Sequence, residues 1–376
     1  MLIVPRANRA PQVMSHGLKA SFLAVIVAAT VLAGCSTPPP PPPPPVAVTP
    51  PVAPPITLSS TLVERASAFR GYMARAGAIT PSFENGDQIQ TSLKVAVAYE
   101  PKVLLQGATA YAAVIALQDP VFVSDVRSFA ADPAQRQQLI AQLIANPAYA
   151  VGFKGSDTAA GLIIDTLGAE GLRVFTAGKA VKQAAYDVQR SPWSKAVVAD
   201  RDARLAYAKT QSAIPALGET TDVALLQQAS IGAQPLIQPA PLTPRAAPAP
   251  YQPLVVRGLA VAALAALGAA GDADLPMVEA IMAESGSTSC LSMAKLNLYQ
   301  CLAVSKPHYE DVFCLGQHIL IDTGQCVIKA SGAPMPVEPP PPPRPVLEKT
   351  SIATGGAGRN SKKAKAQAAR KAPVKK

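Results

Sequence analysis

Between Thr57 and about Gly232 the apolar positions recur at helical spacing, with little strand character. Leu62, Phe69, Met73 and Ala76 share one helical face, and Thr61-Leu62-Val63-Glu64 fits a capping box at its start. Leu104, Ala108, Tyr111 and Ile115 repeat the spacing, but Val114 and Leu117 flank them, which predicts a helix buried on most sides. Asp119-Pro120, Asp132-Pro133 and Asn146-Pro147 each set a capping side chain before a proline, so three short helical segments start there. Residues 156–213 read as one or two longer helices with a break at Ser191-Pro192-Trp193. Inside them Gly161, Gly168, Gly171 and Gly178 each cost up to about 1 kcal/mol relative to alanine. Close approach of another helix or a kink accounts for the four, and a ligand-facing groove is the sharper alternative. The Gly168 to Gly171 run is no phosphate loop, because no strand precedes it. Leu254 to Gly271 is apolar apart from Arg257 and reads as a buried, alanine-rich helix in preference to a membrane span.

Proline divides this pattern. Of 39 prolines in 376 residues, 12 fall between 35 and 55, seven between 235 and 253, and eight between 334 and 345. The clusters predict a spacer over 35–56, a helical domain over 57–232, a linker over 233–253, a small helical domain over 254–332, and a tail over 333–376. The expected fold class is all-α: a compact bundle plus a small disulfide-stapled helical hairpin, joined by proline-rich linkers. No 34- to 45-residue repeat is visible, which argues against a solenoid. The formal charge of +10 divides as unevenly, into +3 over residues 1–34, −2 over 35–343 and +9 over 344–376. A uniformly basic domain is therefore excluded, and with it the main support for nucleic-acid binding.

Residues 20–33 form an uninterrupted apolar run after Lys19, too short for a bilayer helix and suited to a signal peptide over 1–34. Met14 would open a more compact leader, Met14 to Lys19, than Met1 does. The run ends in Leu32-Ala33-Gly34-Cys35, which resembles the lipobox of bacterial lipoproteins. That resemblance covers the first 35 residues and implies that Cys35 is lipidated and becomes the N-terminus. Ser36 after the cysteine, in place of Asp, implies the outer membrane by the same resemblance. Pro38 to Pro45 must be extended polyproline II, so a spacer over 36–55 can hold a folded body roughly 60 Å from the lipid.

The remaining cysteines are Cys290, Cys301, Cys314 and Cys326, and an exported chain would oxidise them. Along a helix Cys290 and Cys301 stand about 16 Å apart, beyond the roughly 7 Å that a disulfide spans between alpha carbons. Ser305-Lys306-Pro307 makes a corner, after which Glu310 and Asp311 suit the first turn of a second helix. Facing positions in an antiparallel hairpin have a constant index sum; Cys301 with Cys314 gives 615 and Cys290 with Cys326 gives 616. Nested pairing is expected. The crossed pairing would need parallel segments across a short corner. Cys314 and Cys326 nevertheless lie twelve apart, about 120° out of phase on a straight helix, and a helix end at Gly324 would correct this. Zinc held among His308, His318 and these cysteines, or a thiol nucleophile beside either histidine, is the chemical alternative, although no Cys-x2-Cys pair supports it.

No nucleophile elbow or His-Glu-x-x-His helix occurs, and no cofactor motif is present. Asp157, Asp165 and Glu170, with Lys154 and Arg173, could share a region beside the glycine-bearing helix, but their spacing does not bring all three carboxylates to one side. The tail residues Lys362, Lys363, Lys365, Arg370, Lys371, Lys375 and Lys376 cannot bury a core. They form either a solubilising appendage or a grip on an anionic polymer, peptidoglycan or lipopolysaccharide. The expected function is that of an envelope scaffold linking membrane to cell wall or to a protein partner. The alternative is an enzyme or an accessory subunit of a transport machine, which a pocket lined by Asp157, Asp165 or Arg173 would favour.

Overall fold

The Asp-Pro and Asn-Pro steps turn the chain where the sequence places them. In a computed structural model that describes residues 52–236 and 245–337, Asp119 Oδ1 takes the N–H groups of Val121 and Phe122, and Asp132 Oδ1 those of Ala134 and Gln135. These caps start α4 (Pro120–Arg127) and α5 (Pro133–Ala145), while Asn146 caps a 3-10 segment, Pro147–Gly152. Before them come α1 (Ser60–Gly77), α2 (Gly86–Val97) and α3 (Pro101–Ala116). After them come α6 (Ser156–Asp187), α7 (Pro192–Lys195), α8 (Arg201–Gln211) and α9 (Thr220–Ser230). The series closes with α10 (Pro253–Ala266), α11 (Leu275–Met282), α12 (Ser285–Val304), α13 (His308–Cys314) and α14 (Asp322–Ser331). The all-α class holds: among the described residues the only β-pairing is two isolated bridges. The leader, Cys35, the spacer through Pro51, residues 237–244 and the tail from Glu338, with its basic residues, lie outside the described residues.

Leu62, Phe69, Met73 and Ala76 of α1 are all buried, as their spacing predicts. The capping box is not formed. Helix α1 starts at Ser60, and a carboxylate from far along the chain serves it: Asp272 Oδ1 accepts from the Ser59 hydroxyl and from the Ser60 N–H and hydroxyl. These donors hold the Asp272 carboxyl below its ordinary value. Helix α3 is buried on all sides from Leu104 to Ala116, packed between α1 and α10 with α6 beside it. Leu254 to Ala266 is an interior helix, and no helix among the described residues is long and apolar enough to cross a membrane.

One hydrophobic core runs from Leu58 to Ala330, so the segment over 254–332 shares the interior of the segment over 57–232. The second proline cluster does not divide that core. Its described part lies along α6, where Ala247 donates its N–H to Asp157 O and Arg245 pairs with Asp165. The physical reason is Gly161: a Cβ there would collide with the Arg245 carbonyl.

The four glycines of α6 mark close approach. A Cβ on Gly168 would stand 2.6 Å from the Ala333 methyl, one on Gly171 2.9 Å from Gly324 O, and one on Gly178 2.7 Å from Ile321 N. The partner strand of helix answers with glycines of its own: Gly324 packs on Gly171 O, and Gly316 on the Lys182 backbone and Gly178 O. The pairs 171–324 and 178–316 have index sums of 495 and 494, so the seam is antiparallel.

Cys314 and Cys326 come into phase by a route the sequence reading did not foresee. The helix does not end at Gly324; it continues to Ser331 and stops at Gly332, whose φ of 80° provides the left-handed cap. Between α13 and α14 lie seven π-helical residues, Leu315–Ile321. A π-helical residue turns about 80–85° around the axis where an α-helical one turns about 100°, so seven of them remove about 120°. That is the phase error between the two cysteines.

The chain enters this body at one end of α6. Thr57 N donates to Ala265 O at 3.1 Å, Ser59 N to Ala270 O at 2.7 Å, and Arg127 Nη1 to Pro54 O at 3.0 Å. Gly268, at φ 68°, turns the chain after α10 under Pro54 and Pro55. Helix α4 connects this point to the first turn of α6 through Asp119 Oδ2, which takes the Thr158 hydroxyl at 2.5 Å.

Candidate functional site

Helices α1, α6 and α9 enclose a surface cleft of about 460 Å³. Arg70 and Arg75 stand on α1 along the edge of its buried stripe, and Glu170 and Arg173 stand one turn apart on α6. Glu219 and Asp222 lie at the start of α9. The small residues Gly71 and Ala74 leave the space, and Thr221 and Leu225 complete the wall. Three ion pairs cross or line the cleft: Arg70 with Asp222, Arg173 with Glu170 at 2.9 Å, and Arg75 with Glu219 at 3.2 Å. Arg70 also lies 5.6 Å from the centre of the Tyr111 ring. Burial raises the Glu170 carboxyl above its ordinary value, against the opposing pull of Arg173.

The six charges sum to zero, so the cleft suits a ligand carrying both signs, with guanidinium groups for a carboxylate or phosphate and carboxylates for an ammonium group. Of the sequence candidates, Glu170 and Arg173 line the cleft. Asp165 pairs with Arg245 at 2.6 Å on the outer surface, Asp157 supports Ala247 through its backbone, and the Lys154 N–H binds Asp125 at 3.0 Å. The three carboxylates do not share a site, as their spacing implied. Arg70, Arg75, Glu219 and Asp222 escaped the sequence reading because they come from two other helices with no common motif.

A second constellation surrounds the cysteine hairpin, formed by α12 and the continuous helix from His308 to Ser331. Cys301 pairs with Cys314 and Cys290 with Cys326, each with alpha carbons 5.7 Å apart, so the nested arithmetic is correct. With all four sulfurs in disulfides, none is a thiolate for zinc or for nucleophilic attack. His318 faces Asp322 at 3.5 Å, and His308 lies beside the Trp193 ring. Helix α8 clamps the corner at Ser305. Arg201 donates to Ser305 O at 2.7 Å and Ala303 O at 3.0 Å, while Arg204 grips both carboxylate oxygens of Asp311 and also Leu302 O. The Arg204 and Asp311 side chains are 3% and 0% exposed, and Ser305 Oγ adds a bond of 2.8 Å to Asp311. The two arginines thus satisfy carbonyls that α12 leaves open at its end.

Lys295 of α12 is buried as well. Its ammonium donates to Val97 O at 2.8 Å, at the end of α2, and sits 3.7 Å from the Tyr99 ring centre. Burial pushes this group down to about 7. Tyr99 in turn shares a 2.9 Å hydrogen bond with Thr323 of α14, tying α12, α2 and the stapled helix together.

The fold and cleft define an all-α protein with a disulfide-stapled hairpin seated on a glycine-lined helix. No family model, curated protein or solved structure matches the chain.

Proposed function

We propose that the chain is an exported, lipid-anchored protein of the bacterial envelope whose helical body acts as a scaffold. It joins the outer membrane, through Cys35, to the cell wall or to a protein partner on the periplasmic side. The observation that carries this reading is the pair of nested disulfides in a chain that also bears Leu32-Ala33-Gly34-Cys35: oxidised structural cysteines belong to an exported protein, and the lipobox resemblance supplies the anchor. The basic residues from Lys362 to Lys376 add an electrostatic hold on peptidoglycan carboxylates or lipopolysaccharide phosphates. Palmitate labelling should mark the wild-type chain and spare the Cys35→Ser variant; labelling of neither chain, or of both equally, sinks the anchor. At low salt the full chain should sediment with purified cell wall more than a chain ending at Pro343, and salt should abolish the difference.

The mixed-charge cleft favours a second reading, an accessory or catalytic role toward a small zwitterionic ligand, because Arg173 lines it. Short zwitterionic peptides should then raise the melting temperature of the wild-type protein and leave that of Arg173→Ala unmoved. Equal shifts in both proteins would remove the cleft from the account.

A further inference from the structure

A different groove lies at the other end of α6, above the Cys301–Cys314 disulfide. It encloses about 430 Å³ and is lined by Tyr186, Val304, Tyr309, Glu310 and Phe313. Tyr186 is 50% exposed and Val304 74%, an apolar surface that the body itself leaves uncovered. Tyr186 and Phe313 meet edge to face with centres 6.3 Å apart, and Lys182 lies 5.6 Å from the Phe313 ring centre. Three rings around a shallow trough form the kind of surface that receives polyproline II, because a proline ridge is rigid before binding and loses little entropy on docking.

We propose that this groove is the docking site for the chain's own C-terminal proline run, Pro339 to Pro343, flanked by Glu338 and Arg344. The charges match in sign: Lys182 over one ring can meet Glu338, and Glu310 at the rim can meet Arg344. The reach is sufficient. Ala333 packs against Gly168, and from Gly168 to Tyr186 α6 covers about 27 Å. Extended chain from Ala333 covers up to about 22 Å at Pro340 and about 31 Å at Pro343, which brackets the levels of Lys182, about 21 Å along α6, and Tyr186. A tether this short supplies an effective concentration in the millimolar range, so a weak groove fills from its own chain before it fills from another. The other proline run, Pro38 to Pro45, has no charged flanks to match these rim charges.

Hydroxyl-radical footprinting of the full-length mature protein tests this without altering the folded body. Replacing the run (Pro339→Ser through Pro343→Ser) should raise modification of Tyr186, Tyr309 and Phe313 several-fold, while Tyr149 and Tyr207, exposed elsewhere, stay unchanged. An added peptide of residues 338–345 should restore protection, and the same peptide with Arg344→Glu should not. Equal footprints for the two proteins would overturn the proposal. So would protection restored equally by a peptide of residues 38–45, which would assign the groove to the other run.

Discussion

The two ends of α6 are held by different physics. At the end where the chain enters, side chains close helix termini one at a time. Asp119 and Asp132 cap α4 and α5, Asp272 closes α1, and Arg127 and Arg136 take carbonyls at the end of α10. Most of these groups are partly exposed, and each bond contributes modestly. At the hairpin end the same need to satisfy helix termini is met inside the protein, by Arg204 with Asp311 and by Lys295, and two disulfides close the chain covalently. Burial makes the difference: a charge without water is costly once its partner is gone, whereas an exposed cap leaves groups that water can serve.

The contrast can be broken most strongly at Asp311. Asp311→Ala leaves the Arg204 guanidinium buried without a counter-charge and should destabilise the protein by about 3–5 kcal/mol in chemical denaturation. The double variant Arg204→Met with Asp311→Leu should lose less than Asp311→Ala alone; an equal or larger loss would show that packing, not the unpaired charge, sets the cost. Next come the disulfides. Replacing Cys290 and Cys326 by serine opens a separation of 36 residues and should cost about 4 kcal/mol, against about 3 kcal/mol for Cys301 and Cys314, separated by 13. Reversing that order would indicate that the unfolded chain does not set the effect.

Lys295 gives a pH signature confined to the hairpin end. Its folded value near 7 lies below the ordinary lysine value, so the unfolded chain binds more protons above pH 7. Stability from this group therefore rises with pH from about 7 toward 10, by up to about 1.4 kcal/mol per pH unit, and is missing below 7. Denaturation midpoints measured across that window should show the rise in the wild type and a flatter profile in Lys295→Met. The smallest effect belongs to the entry end: Asp132→Ala removes an exposed cap and should cost about 1 kcal/mol in chemical denaturation.

What could be read from the chain divides along the same line. Asp119, Asp132 and Asn146 were legible because a cap acts on residues two or three positions away, and Cys301 with Cys314 because a hairpin turns sequence distance into spatial distance. The glycines of α6 signalled a close neighbour but not its identity, which required Gly316 and Gly324 from the far end of the chain. Asp272 capping α1 and Arg204 binding Asp311 join residues more than a hundred positions apart and have no local signature. The π-helical stretch was hidden for another reason. Local spacing shows that a phase correction is needed between Cys314 and Cys326 and points to a glycine stop; the seam at Gly324 instead keeps the helix unbroken and moves the correction upstream. In the cleft, only Glu170 and Arg173 were within reach of spacing arguments, since the other four charges converge from separate helices.

The hairpin is locked by two nested disulfides onto a glycine-lined helix, and we propose that the chain carrying it is exported. Peptide mass mapping of the native protein, isolated from the cell envelope and digested without reduction, tests it most directly. The account predicts cross-linked peptides pairing Cys301 with Cys314 and Cys290 with Cys326, together with a lipid-modified N-terminal peptide beginning at Cys35. Free thiols at these four positions, a crossed pairing, or an unmodified peptide running through Gly34 into Cys35 would contradict it.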